Sequence, residues 1–282
     1  SHSPVKVLAS LPRMKKLTII SLGAGVQSTT MALMAAKGLI KPYPDACIFA
    51  DTQAEPEAVT KHLEWLKTEL PFPIHIVTKG NLREDTLNAL KPDGNKFITI
   101  PIFSKNPDTG KKSLLMRQCT NSYKIQPIKK KIRDLLGMVK YQRVKKDTEV
   151  QQWIGISMDE LSRMKPARDK WITNRHPLIE MRMTRQDCKK WLKENYPDIN
   201  TPRSACTFCP FRNKADWIDL KKNEKEWQDV IEFDKLIRDG GNKTKDKIFL
   251  HSSCKPIDEV DFDEKEDQLD MFNNECEGMC GV

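Results

Sequence analysis

Apolar residues alternate between strand-like runs and helical spacing through most of the first 157 residues. Compact apolar runs at residues 17–22, 45–50, 74–78 and 150–157 predict buried strands. Helical segments are predicted at 26–37, from Glu55 onward with Val59, Leu63, Leu66 and Leu70 on one face, and from a capping Asn81 to Leu90. Strands that alternate with helices predict an α/β fold, with a doubly wound, mainly parallel sheet covered by helices on both faces.

Two regions interrupt this alternation. Residues 91–118 contain Pro and Gly among several lysines, and we interpret them as a long loop of the kind that often carries function. After Pro177 a second unit begins, where Thr184 and Asp187 form a capping box for a helix whose buried face is Cys188, Trp191 and Leu192. We therefore predict a nucleotide-binding domain at 14–183 and a smaller, helical, Cys-containing C-terminal unit with an acidic tail at 184–282.

The charge of the chain is unevenly distributed. The formal net charge is +9, but residues 257–282 contain ten acidic residues and one lysine, so the preceding residues carry +18. A body this basic favours a polyanionic partner, tRNA or DNA, over the alternative of a solvated surface partly neutralised by its own tail. The chain has neither an apolar run long enough to span a bilayer nor a secretory signal, so we expect a cytoplasmic protein with no membrane partner.

A small-residue loop joins the first predicted strand to the first predicted helix. The loop and first turn contain residues that let a backbone approach a phosphate closely, and the N–H groups of the helix N-terminus would hold the anion: Gly23, Ala24, Gly25, Val26, Gln27, Ser28 and Thr29. The Gly-Lys-Ser/Thr ending of a Walker loop is missing, as is the third glycine of the dinucleotide fingerprint. A tight turn without a ligand is the structural alternative.

This loop resembles the PP-loop of ATP pyrophosphatases and phosphoadenosine-phosphosulfate reductases, which usually has the form Ser-Gly-Gly-x-Asp-Ser. Gly23 stands where that family usually has Ser, and Gln27 where it has Asp, so Gln27 cannot hold Mg²⁺ as a carboxylate would. Three further segments are similar to the family and occur in the same order: 50–53, 118–128 and 155–163. The resemblance covers most of residues 17–212 and implies an adenine nucleotide alpha hydrolase-like fold that binds ATP and Mg²⁺.

The resemblance also implies roles for individual residues. Asp51 and Thr52 end the second strand and would lie near the adenosine or the metal, and Gly155 would lie in the nucleotide site. Lys124 and Arg163 would neutralise charge that develops at the reacting phosphoryl or sulfuryl group. Asp159, with Glu160, would position Mg²⁺ or orient Arg163; a solvated or helix-capping acid is the alternative.

Eight cysteines are present, and several are concentrated in the C-terminal third. Cys206 and Cys209 form a CxxC pair, which suits one metal or one edge of an iron–sulfur cluster. The family resemblance adds Cys119 as a third ligand of a [4Fe–4S] cluster. Cys280 or Cys276 is the preferred fourth ligand, Cys254 is a further candidate, and zinc and free thiols remain alternatives. Cys276 lies in a segment that resembles the C-terminal Glu-Cys-Gly of sulfonucleotide reductases, where it would be a nucleophile or persulfide carrier. We expect Cys47 and Cys188 to be core thiols.

These features lead to competing functional hypotheses. The first is an ATP-dependent sulfurtransferase, which adenylates a nucleic-acid oxygen and replaces it with sulfur from a cysteine desulfurase or other donor. The second is a phosphoadenosine-phosphosulfate or adenylyl-sulfate reductase. The third is a non-catalytic nucleotide- or nucleic-acid-binding module with a structural metal, and other ATP-dependent ligation, such as amidation, also remains open.

Overall fold

The structure is a computed structural model that describes residues 16–91, 93, 97–240 and 245–262. The predicted ligand Cys280, the predicted nucleophile Cys276 and most of the acidic tail lie outside these residues. In the described part of the chain, no helix is both long enough and apolar enough to cross a membrane.

A five-stranded parallel sheet forms the centre of the molecule, as the sequence predicts. Its strands are β1 (Lys16–Ser21), β2 (Ala46–Asp51), β3 (Ile74–Thr78), β6 (Glu149–Ile154) and β7 (Ile172–Arg175). They are ordered β3-β2-β1-β6-β7, and every neighbouring pair is parallel. The chain therefore reverses its direction of travel across the sheet between β1 and β6. The loops that follow these two strands separate there and leave a crevice in which α/β proteins bind ligands.

Helices cover both faces of the sheet and complete the doubly wound arrangement. One face packs against α1 (Val26–Ala36), α2 (Glu57–Glu69) and α6 (Arg185–Asn195), and the other against α4 (Gln126–Leu135). Two helical turns flank α4 and β6, a π-helix at Thr120–Ile125 and a 3-10 helix at Met158–Arg163. The short helices α3 (Leu82–Ala89) and α5 (Pro177–Glu180) complete this part of the fold.

Residues 91–118 are not the uniform loop that the sequence predicts. They contain the strands β4 (Phe103–Lys105) and β5 (Lys112–Leu114), which form an antiparallel sheet with β8 (Lys247–Phe249). Strand β7 was also missing from the sequence interpretation. All four are only three or four residues long, so each offers too few positions for an alternating pattern to be recognised.

The C-terminal segment is largely helical, as expected. It contributes α7 (Lys214–Lys221), α8 (Glu224–Ile237) and a 3-10 turn at Ile257–Glu259, which form a second core around Trp217, Trp227 and Phe233. The predicted capping box of α6 is present, with the Thr184 hydroxyl accepting from the Asp187 backbone. Helix α6 packs against α1 through Cys188 and Leu192, and β8 pairs with β4. The two predicted units therefore contact each other twice, between α1 and α6 and between β4 and β8. The boundary between them stays a prediction.

Candidate functional site

The predicted nucleotide loop lies at the carboxyl end of β1, beside the crevice. Ala24 adopts a left-handed backbone with φ of 60°, which is uncommon for a residue with a side chain. The Gly23 N–H donates to the Ser28 hydroxyl at 3.1 Å, so the loop folds back onto the first turn of α1. Gly25 precedes the helix without a side-chain cap from the described residues. The first turn also lacks acidic residues, so the positive end of α1 is suited to an anion.

Gln27 connects the nucleotide loop to the segment that follows β6. Its amide Nε2 donates to Glu160 Oε2 at 3.0 Å and to the Ser157 hydroxyl at 3.4 Å. The other Glu160 oxygen lies 2.5 Å from the Arg163 guanidinium, and both charged side chains are buried. The carboxylate of Glu160 therefore lies next to position 27, where the PP-loop usually has Asp. It comes from the segment after β6 and not from the loop itself. Among the described residues, the Gln27 Oε1 atom has no hydrogen-bond partner.

The remaining predicted residues of this segment have different surroundings. Gly155 is buried directly after β6, on the sheet side of the crevice. Asp159 accepts a 2.9 Å hydrogen bond from the Arg185 backbone N–H, at the start of α6. Burial would raise the pKa of Asp159, but hydrogen bonds from Ser157 and Arg185 outweigh it and lower the pKa. Asp159 thus accepts a hydrogen bond at the N-terminus of α6, as a helix-capping acid would. A catalytic role for Asp159 stays a prediction.

The end of β2 lies on the other side of β1 from β6. Thr52 is buried, its backbone N–H donates to Glu55 at 3.2 Å, and its hydroxyl lies 3.2 Å from the Cys206 sulfur. Asp51 accepts from the Gln53 backbone at 2.7 Å. Burial raises the pKa of Glu55, while Lys124 and Thr52 oppose the shift. The sequence did not indicate a role for Glu55, because it was predicted to start the next helix, where an acid is common; in the structure Glu55 precedes α2.

Three of the four cysteines predicted as metal ligands line one pocket beside the end of β2. Cys119, Cys206 and Cys209 line it together with Thr52 and Lys124. The Ser204 hydroxyl donates to the Gly23 carbonyl, and the Thr207 backbone N–H donates to the Ala54 carbonyl at 2.9 Å. The CxxC loop is therefore hydrogen-bonded both to the nucleotide loop and to the loop after β2. Ser204 carries no sequence signal, since a lone serine before a CxxC pair has many possible roles.

Cationic side chains surround the thiols. The Arg212 guanidinium donates to the Cys206 and Thr207 carbonyls at 3.1 Å, and burial beside Arg203 lowers its pKa to about 10. Burial raises the pKa of Cys206 well above the ordinary thiol value, Glu55 adds to this effect, and Lys124 opposes it. Lys124 is thus the nearby charge that favours the reactive thiolate.

The three thiols do not by themselves complete a metal centre. A structural zinc or a [4Fe–4S] cluster takes about four ligands. Within the described ranges, no group of three or more His, Cys, Asp or Glu side chains is placed to hold a metal ion. The sulfur donors are of the right chemical type and share one pocket, but the described residues do not show a closed ligand set. No catalytic step is therefore assigned to a cluster.

The other described cysteines are structural. Cys47 in β2 and Cys188 in α6 are fully buried, as predicted, and burial raises the pKa of Cys47. Cys254, which the sequence left open, packs with Phe103 and Phe249 in a small apolar cluster.

A basic groove runs along the opposite face of the sheet. It is open, encloses about 800 Å³, and is lined by Lys79, Lys130 and Lys131 together with one acid, Asp134. Lys79, directly after β3, and Lys130, in α4, are exposed. Because lysines along a groove can follow a phosphate backbone, this surface suits a nucleic acid.

No protein-family model matches the chain, and no curated protein matches it. Among solved structures, the chain is similar to a phosphoadenylyl-sulfate (PAPS) reductase from Candida auris, in a phosphate complex. The identity is 14%, the TM-score is 0.38, and the match covers 67% of this chain and 75% of the reductase chain.

Proposed function

We propose that this chain is an ATP-dependent enzyme of sulfur chemistry, which adenylates an oxygen of a nucleic acid and replaces that oxygen with sulfur. The observation that carries the proposal is the hydrogen bond from Ser204 to the Gly23 carbonyl. It joins the CxxC loop to the candidate phosphate loop, so a thiol and an adenine nucleotide would react in one crevice. A module with separate structural metal and nucleotide sites has no need of this contact.

Each part of the crevice has a role in the proposed reaction. The uncapped N-terminus of α1, with Gly25 and Ser28, holds the phosphates of ATP. The acceptor oxygen attacks the α-phosphorus and pyrophosphate leaves. Lys124 and Arg163 neutralise the negative charge of the transferring group, as preorganised cations do. The adenylated oxygen is then a good leaving group, and sulfur displaces it as AMP.

Sulfur reaches the site as a persulfide from a desulfurase or other donor. The terminal persulfide sulfur attacks the activated carbon, and AMP leaves with the original oxygen. A second thiol then attacks the inner sulfur, which releases the thiolated product and leaves a disulfide for a thiol reductant to reopen. Cys276 is the predicted carrier, and the second thiol would come from the donor or the reductant, because Cys206 and Cys209 are the predicted metal ligands.

Two inorganic cofactors belong to the proposal. Mg²⁺ would accompany ATP, and the buried Gln27 Oε1 is the oxygen that the loop itself could offer to the cation. Cys119, Cys206, Cys209 and Cys280 would hold a [4Fe–4S] cluster, with zinc as the alternative. Iron, sulfide and zinc analysis of protein purified without oxygen decides between them. Cys209→Ala should lose the metal, and the core variant Cys188→Ala should retain it.

The central experiment follows pyrophosphate and AMP. The anaerobically purified protein is incubated with Mg·ATP alone, with bulk tRNA or with DNA. We expect pyrophosphate release that rises with one nucleic acid and not with the other. If there is no release, but sulfite forms from an adenylyl sulfate and a thiol, the chain is a reductase and the proposal is wrong.

Ser204→Ala tests the contact between the two loops. Loss of this hydroxyl should lower AMP formation that depends on the sulfur donor, while pyrophosphate exchange into ATP continues. The control is Ser253→Ala, whose hydroxyl contacts His251 near the second core and lies outside the crevice. Equal effects of the two variants on both reactions would contradict a shared site.

A further inference from the structure

A second, more enclosed cavity lies on the α4 face of the sheet, between β6 and β7. It encloses about 160 Å³ and has apolar walls that include Ile128, Ile154 and Ile172. Its polar lining comes from the two strands and His176, from the segment at 163–169 that starts with Arg163, and from Asn121, Gln126 and Lys129 on the α4 side. Nothing in the roles assigned above uses this space, apart from the guanidinium of Arg163 at its edge.

Three buried polar atoms of the lining residues lack a hydrogen-bond partner in the described structure. They are Gln152 Nε2, Asn174 Oδ1 and His176 Nε2. Gln152 and His176 are only 1% and 8% exposed. An unpaired buried polar group typically costs about 1–3 kcal/mol, so three such groups at one cavity indicate a site shaped for a polar ligand.

The strand register fixes how two of these atoms are presented. Gln152 and Asn174 are direct neighbours across the parallel pair of β6 and β7, so their side chains share one face of the sheet. The Asn174 Nδ2 donates to the Lys165 carbonyl at 2.9 Å, which leaves its Oδ1 as the acceptor. Two adjacent strands therefore offer an amide donor beside an amide acceptor. Burial lowers the pKa of His176, so its neutral ring adds a third hydrogen-bonding atom.

The size of the cavity indicates the size of the ligand. An apolar cavity of roughly 150 Å³ accommodates a benzene ring. The cavity thus suits a six-membered ring that has a donor and an acceptor at adjacent positions of its edge. A pyrimidine base has this shape and this edge.

We infer that the cavity between β6 and β7 receives an unstacked pyrimidine base of the acceptor nucleic acid. This inference rests on the proposed function and names the part of the substrate that is recognised. Enzymes that modify a base must take it out of the stack, and the apolar walls replace the lost stacking contacts. Gln126 borders both this cavity and the basic groove, so the groove lysines would hold the phosphates on either side. Arg163 connects the cavity through Glu160 to Gln27 of the nucleotide loop.

Equilibrium dialysis of the full chain against CMP, UMP, AMP, GMP and ribose 5-phosphate tests the inference, with and without saturating ATP. We expect CMP or UMP to bind at least about tenfold more tightly than ribose 5-phosphate, and to bind together with ATP. Binding that is no tighter than that of ribose 5-phosphate overturns the inference. So does AMP binding that is preferred and that ATP abolishes, because the base would then be that of the nucleotide itself.

Near-isosteric variants locate the binding. Gln152→Met and Asn174→Leu should each weaken pyrimidine binding by about tenfold or more, which corresponds to one good hydrogen bond to a base edge. Gln152→Met should also keep or raise the unfolding temperature, because it removes an unpaired buried amide. The control Thr173→Val changes an exposed residue of β7 and should leave binding unchanged.

ATP binding to the same variants separates the two proposals. The cavity variants should bind ATP as the wild type does. If the wild type binds pyrimidine nucleotides but not ATP, the proposed function is wrong and the assignment of the cavity to a pyrimidine base still holds. If the cavity variants bind CMP and UMP as tightly as the wild type does, the cavity assignment is wrong, regardless of their affinity for ATP.

Discussion

The surroundings of Gln27 are set by residues that are remote in sequence, Ser157 and Glu160. It occupies the position where the PP-loop usually has Asp, and the carboxylate of Glu160 lies next to its amide. An aspartate here would place a second carboxylate near that of Glu160 within a buried site. Like charges this close cannot both ionise easily. The neutral amide is therefore consistent with the Glu160–Arg163 ion pair on the other side of the crevice.

Gln27→Asp should consequently destabilise the protein at neutral pH by about 1–3 kcal/mol. Burial and Glu160 would raise the folded-state pKa of the new carboxyl above its unfolded value. The penalty should thus be small below pH ~4 and should grow as the pH rises, because the unfolded carboxyl ionises from there upward. Urea unfolding at several pH values measures it. Gln228→Asp, on the exposed face of α8, is the control and should show little dependence on pH.

Lys124 should control the reactivity of Cys206. Burial and Glu55 raise the pKa of the Cys206 thiol, and the positive charge of Lys124 is the largest of the influences that lower it. In Lys124→Met we expect iodoacetamide to alkylate Cys206 several-fold more slowly at pH 8, with the rate measured by peptide mass spectrometry. Lys79→Met removes an exposed lysine from the opposite groove and should leave this rate unchanged. An unchanged rate in Lys124→Met would mean that the charge does not act on the thiolate.

At the scale of elements, α1 and α2 are joined by a buried polar contact. The Thr29 hydroxyl lies 2.9 Å from His62 Nε2, and both residues are almost fully buried. Burial lowers the pKa of His62 to about 4. The contact with Thr29 indicates that this histidine helps to hold α1 against α2.

Stability should therefore fall as the pH drops from about 6.5 to about 4. Over this range the unfolded histidine gains a proton that the folded one does not accept. The full difference is roughly 3 kcal/mol, from 1.36 kcal/mol per pKa unit. His62→Gln should flatten this dependence in denaturant unfolding. His75→Gln, at a half-exposed position of β3, should leave most of it in place. An unaltered slope in His62→Gln would show that other groups cause the loss.

At the scale of the whole molecule, charge is divided between a basic body and an acidic tail. Lys130→Glu with Lys131→Glu should weaken nucleic-acid binding and reduce its salt dependence, because each lost phosphate contact lowers the slope of log K against log salt by about one. The double variant Lys189→Glu with Lys190→Glu makes the same charge change on α6 and should have the smaller effect. Fluorescence anisotropy over a salt series distinguishes them.

The tail should compete with nucleic acid for the basic body. A deletion that tests this should begin after Phe262, because Ile257, Val260 and Phe262 are buried in the second core. Deleting residues 263–275 removes six acids and one lysine and keeps this core. We expect higher nucleic-acid affinity at low salt, with the difference lost near 0.5 M salt, where the screening length falls to about 4 Å. Equal affinity at low salt would exclude competition by the tail.

The sequence alone determined the parts of this protein that depend on local pattern. The apolar runs predicted four of the five parallel strands, and the capping residues Asn81 and Thr184 predicted two helix starts. The small-residue loop at 23–25 was predicted at the start of α1, because glycine and alanine leave the backbone accessible. Such signals depend on only a few neighbouring residues, so they can be recognised from one sequence.

Only the tertiary structure decided which distant residues meet. Ser204 reaches Gly23, Glu160 reaches Gln27, and Cys206 lies beside Thr52, across more than 130 positions in each case. The cavity between β6 and β7 depends on a strand too short to be recognised from its sequence. Its unpaired amides are visible only after the register places Gln152 opposite Asn174. A binding site of this kind is a property of packing and burial, which no local pattern specifies.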